Sequence, residues 1–118
     1  MKGPVDRRVH ERHRADFQVR VTELADPDFS ASGQVVDISE SGLGVHLPLQ
    51  FMAGSVVRLT IKDSVLFGLV AHSEPERSYF RTGIEVVQVL IGESELSNLL
   101  KATLEKAIPN VQWLEALP

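Results

Sequence analysis

The sequence contains no cysteine. That absence removes disulfide frameworks, thiolate zinc sites, iron–sulfur clusters and cysteine nucleophiles together. It also fits a reducing compartment. Long apolar runs are missing too. Val65–Val70 is broken by Gly68 and Val86–Ile91 by Gln88, and neither approaches the ~20 residues of a membrane-spanning helix. The opening Met1-Lys2-Gly3-Pro4-Val5-Asp6 has no apolar signal core, so the expectation is a cytoplasmic protein without membrane insertion. Internal repeats and low-complexity segments are also absent. What is there is globular: 118 residues, 43% hydrophobic, enough for one domain with a single real core.

Charge of one sign is scarce locally rather than globally. The formal net charge is −4, which argues against DNA and other extended polyanions as partners. Residues 1–20 nevertheless hold six basic side chains against three acidic ones, a net of +3, while the remainder carries a net of −7. A short basic arm therefore precedes an acidic body. Such an arm either folds back on that body as a solvated tail or uses its arginines to hold a small anion.

Residues 1–14 are polar and without an apolar period, which predicts a flexible arm. From Phe17 the pattern alternates through Val19 and Val21, the mark of a half-buried strand. Further strands are expected at Gly33–Ile38, Leu43–Leu47, Val57–Ile61, Val65–Ser73 and Tyr79–Val89. The fifth is apolar enough for burial on both faces. The period then changes. Leu96, Leu99, Leu100, Thr103, Leu104 and Ala107 form a helical stripe, with Ser94 as a cap and Pro109 as a stop. The fold expected is mainly β: a six-stranded antiparallel, split β-barrel with a C-terminal α-helix packed on it. Its divisions are an arm over 1–14, the barrel and helix over 15–108, and an apolar tail over 109–118. In that tail Val111, Trp113, Leu114 and Leu117 either dock on the barrel or form a surface for a homodimer or an effector.

Two short constellations carry the chemistry. Arg8-Val9-His10-Glu11-Arg12 spaces two arginines four apart, with Arg7 just before them. Asp37-Ile38-Ser39-Glu40-Ser41-Gly42 follows the second strand. Their order and setting resemble the PilZ domain, the bacterial receptor for cyclic di-GMP, which carries RxxxR ahead of the first strand and D/NxSxxG after the second. Pro48 to Gly54, Val56-Val57-Arg58-Leu59 and Thr82-Gly83-Ile84-Glu85-Val86 extend the likeness, Val86 standing where the family usually has Phe. The resemblance implies a cyclic di-GMP-binding signalling adaptor, with Arg7, Arg8, Arg12, Asp37, Ser39 and Gly42 at the ligand and an effector protein as partner. Arg7 in its place implies two intercalated ligand molecules per chain. The chemistry suits that ligand. Arginine fits the acceptor edge of guanine or a phosphate with paired N–H bonds, and its plane stacks on purines. Asp37 can accept from the guanine donor edge. The alternative is a PilZ-like interaction module that binds no nucleotide.

Catalysis and metal binding find little support. His10 and His13 lie three apart on expected coil, unlike the helical pair of a zinc protease. Ser39 has no histidine at motif-like spacing to activate it. No catalytic residue, metal or cofactor is expected. His46 should point outward, and His72 ends a strand within reach of a ligand.

Overall fold

The computed structural model describes residues 12–114. Seven strands and one helix follow in order: β1 Arg12–Glu23, β2 Ser30–Ser39, β3 Gly42–Leu47, β4 Val56–Ile61, β5 Ser64–Pro75, β6 Phe80–Leu90, α1 Glu95–Ala107 and β7 Gln112–Leu114. The lateral order is β3-β2-β1-β4-β5-β6, and pairing of β3 with β6 closes the ring. All pairings within this ring are antiparallel. The expected six-stranded barrel with a C-terminal helix is therefore present. An additional strand, β7, runs parallel to β6, with Trp113 opposite Val89. It was not foreseen, because three residues are too few for a period. Residues 112–114 of the tail dock through this backbone pairing.

Alternation places the core. Phe17, Val19 and Val21 of β1, Leu43, Val45 and Leu47 of β3, and Val57, Leu59 and Ile61 of β4 all point inward and are buried. They meet Val35, Leu66 and Ile84 from the facing strands in one continuous cluster. Full burial of such a side chain stabilises by roughly 1.5–3 kcal/mol, so these rows hold the barrel together. Phe51, from the loop between β3 and β4, is buried in the same cluster and meets Phe29 edge-on at 4.8 Å.

α1 packs mainly against β1 and β2. Leu100, Leu104 and Ala107 are buried on its inner side. Its stripe is rotated from the sequence expectation: Ser97 faces in and Leu99 faces out. The cause is polar. Asp63, in the turn between β4 and β5, accepts from Ser97 Oγ at 2.6 Å and Ser94 Oγ at 2.6 Å. It also accepts from the backbone N–H groups of Glu93 and Ser94. The carboxylate thus sits on the helix N-terminus, where unpaired N–H groups and the helix dipole favour negative charge. Ser94 is the N-cap, as expected, and accepts from the Ser97 backbone N–H.

Two further expectations are revised. β1 begins at Arg12, so residues 12–14 belong to a strand rather than to the arm. Cross-strand partners Ser39, Ile38 and Asp37 supply the backbone pairing that local sequence could not reveal. The outer face of β5 is also less covered than its apolar sequence suggested: Phe67 is half-buried and Leu69 exposed.

Candidate functional site

The site lies where β1, β2, β3, β5 and β6 converge. Arg12 opens β1 directly opposite Ser39 of β2. Its guanidinium reaches Asp37 at 3.5 Å, with the two side chains 71% and 26% exposed. A pair this long and this wet is weak, so both groups remain open to a better partner. Asp37 follows a register irregularity between β2 and β3, and another interrupts β1 between Arg14 and Phe17. Bulges of this kind bend strands and re-aim side chains. A third, between Val70 and His72, lies in β5 beside the same hollow.

The turn after Asp37 is built for close approach. Ser39 pairs with Gly42 across the two-residue turn Glu40-Ser41. Ser39 Oγ and Ser41 Oγ are 3.0 Å apart. Gly42 adopts φ +136°, and a Cβ there would lie 2.1 Å from the Ile84 carbonyl oxygen. No other residue fits without displacing β6. Two more glycines make notches for side chains. A Cβ at Gly44 would strike Asp37 Oδ1 at 2.5 Å, and one at Gly83 would strike His72 Nε2 at 2.4 Å.

These elements enclose a hollow of about 400 Å³, lined by Arg12, Asp37, Ser39, Ser41, Gly42, Gly44, His72, Glu74, Arg81 and Gly83 among others. Its size lies in the range of small-molecule sites. The structure thus brings together four of the sequence-selected residues: Arg12, Asp37, Ser39 and Gly42. Arg7 and Arg8 lie outside the described residues. A second hollow of about 480 Å³, between the β2–β3 turn and the chain leaving α1, shares Ser41, Gly42 and Ala71 with the first. A separate one of about 530 Å³ on the outer face, lined by Gln18, Arg20, Gln34 and His46, contains no residue of either motif. His46 itself points outward as expected and stacks on Tyr79 at 4.0 Å.

Sequence reasoning missed Arg81 and Glu74. Arg81 lies opposite Glu74 in the β5–β6 ladder and makes ion pairs of 3.4 Å with Glu74 and with Glu76. The only available signal was the hairpin register, counted back from the Glu76–Tyr79 turn. His72, considered within reach of a ligand, does line the hollow.

The hollow can do anion and purine recognition: two guanidinium groups, two carboxylates, three hydroxyls and an imidazole surround it. Among the described residues, no group of three His, Cys, Asp or Glu is placed to hold a metal ion, and no helix is long and apolar enough to cross a membrane. No curated protein matches the chain. A family profile for the PilZ domain matches residues 6–102. That span runs from the arginine-bearing segment through the whole closed barrel and into α1, and on this evidence the chain belongs to the PilZ domain family.

Proposed function

We propose that this protein is a cyclic di-GMP receptor that acts as a signalling adaptor rather than an enzyme. PilZ domains are in general cyclic di-GMP-binding modules. One observation carries the reading: Arg12, Asp37, Ser39 and Gly42, drawn from two separate motifs, line a single hollow.

In this reading Arg12 leaves its loose contact with Asp37 and turns its guanidinium to a guanine edge or a phosphate. Asp37 then accepts from the N1/N2 edge of a guanine, and Ser39 bonds to base or phosphate. Arg8 grips the opposite side of the same ligand. Arg7 supplies the cation and stacking plane that a second, intercalated molecule requires. Arg12 is the first residue of β1, so its capture draws the segment carrying Arg7 and Arg8 onto the β2–β3 turn. The face around Asp37 changes shape and charge, and an effector protein that binds the two states unequally senses the ligand.

Titration calorimetry with cyclic di-GMP at physiological salt tests this. Binding at micromolar affinity or tighter is expected, about −8 kcal/mol or better, with two molecules per chain. Arg12→Ala should abolish it. Absence of binding to the wild type would leave the chain as a ligand-independent interaction module.

A further inference from the structure

The outer surface of this barrel is polar on one side and apolar on the other. On β1 and β2 the outward positions are Gln18, Arg20, Ser32 and Gln34, the hydrophobic-in, polar-out alternation of a sheet facing water. On β4, β5 and β6 that rule fails. Val56 is 46% exposed and faces Leu69, 37% exposed, across the β4–β5 ladder. Leu24 lengthens this row through its N–H bond of 3.0 Å to the Val56 carbonyl. The next row holds half-buried Phe67. Val87, skipped by the register shift between β5 and β6, is 45% exposed beside it. The excess apolar character of β5 therefore has no partner within the described residues.

The charges around this patch are arranged to pair with themselves. Arg58 lies on β4 opposite Phe67, and Glu85 lies on β6 opposite Leu69. They occupy diagonal corners about the Phe67–Leu69 centre, two strands and one row apart. Lateral spacing alone separates them by roughly 10 Å, too far to bond to each other. Both are exposed, and among the described residues neither has an ion-pair partner. A two-fold axis lying in the plane of contact, along the other diagonal, sets Arg58 of one copy against Glu85 of the next, and the reverse. The same operation brings the Phe67–Leu69 pair of one copy over the Phe67–Leu69 pair of the other.

We propose that the β4–β5–β6 face is a self-complementary interface on which a second copy of this chain packs, sheet against sheet, with reciprocal Arg58–Glu85 pairs at its flanks. Isologous contacts of this kind need one patch carrying both halves of each interaction, and an axis on that diagonal crosses the strands of the two facing sheets steeply, the orthogonal rather than the aligned class of sheet packing. Glu85 borders the second hollow beside Gly42, but none of Arg58, Phe67, Leu69 and Glu85 lines the Arg12–Asp37 hollow, so the inference stands whether or not that hollow takes a nucleotide.

Sedimentation velocity over a wide range of protein concentration tests it, on wild type, Leu69→Glu, Arg58→Glu, Glu85→Arg and the double variant Arg58→Glu/Glu85→Arg. The wild type should dimerise and Leu69→Glu should be monomeric. Each single reversal turns two attractive pairs into repulsive ones and should weaken the dimer about tenfold or more. The double reversal should restore it, which a contact with an unrelated protein or another face would not produce. Thermal melts confirm that each variant folds; should Leu69→Glu fail to, the two exposed charges still carry the test. A wild type that stays monomeric throughout, a dimer indifferent to these changes, or a double reversal no better than the singles would each overturn the proposal.

Discussion

Arg81 is held at the rim of the hollow by two exposed carboxylates, Glu74 and Glu76. Breaking such wet ion pairs costs about 0–1 kcal/mol, whereas a hydrogen bond to a phosphate or guanine is worth about 1.5–3 kcal/mol. Exchange of partners is therefore favourable. Arg81→Ala should reduce cyclic di-GMP affinity by roughly tenfold, with little change in melting temperature. Calorimetry on this variant checks it, and unchanged affinity would mean that Arg81 faces solvent in the complex. Gly42 makes the opposite kind of claim. Its φ of +136° and its approach to the Ile84 carbonyl leave no room for a methyl group. Gly42→Ala should cost about 1–3 kcal/mol of stability, measured by urea denaturation, and should weaken binding by shifting Ser39 and Ser41. Of these residues, Arg12, Asp37, Ser39 and Gly42 were legible in the sequence because each belongs to a short motif whose spacing carries the chemistry. Arg81 was not. Nothing in Ser78-Tyr79-Phe80-Arg81 marks it, and only the β5–β6 register aims it at the hollow.

At the scale of elements, the contact between the β4–β5 turn and α1 is the most exposed to pH. The Ser94 and Ser97 hydroxyls, helped by the backbone N–H groups of Glu93 and Ser94, hold the Asp63 carboxyl well below the usual carboxylate range, while partial desolvation opposes them. A folded-state pKa lowered in this way adds stability above the unfolded value of about 3.9. That stability fades as pH falls below it towards the folded value. Asp63→Asn should thus melt earlier than the wild type at neutral pH, because the amide puts an N–H₂ group against donors. The gap between the two should close as the pH drops below about 4. Circular dichroism melts at several pH values would show it, and a constant gap would contradict the role of charge. The turn supplying Asp63 was visible in Lys62-Asp63-Ser64, and so was the Ser94 cap. Their meeting was not, because the two lie about thirty residues apart. The same contact explains why the helix turns Ser97 inward and leaves Leu99 in water, against the simple stripe.

For the whole molecule, ligand and stability are linked. A ligand that binds only the folded chain adds about 2.7 kcal/mol at a hundredfold excess over its dissociation constant, which should raise the melting temperature by roughly 10 °C for a domain of this size. Scanning fluorimetry with and without cyclic di-GMP measures this directly. Arg12→Ala should melt near the unliganded wild type and show no such rise. A shift that survives in the variant would place the ligand elsewhere on the barrel. The barrel itself was readable because alternating side chains can bury only one face, and six alternating runs without intervening helices leave an antiparallel arrangement as the simplest solution.

By itself the sequence determined the class of fold, the positions of the six barrel strands and the helix, and the two motifs that carry the resemblance to the PilZ family. Those properties are local: they follow from periodicity, turn chemistry and spacing within a few residues. Tertiary structure decided the closure of β3 on β6, the docking of the tail as β7, the convergence of Arg12, Asp37 and Arg81, and the apolar face left on β4, β5 and β6. Each of these depends on which strands become neighbours and in what register. A one-residue change of register would turn every side chain of a strand to the other face.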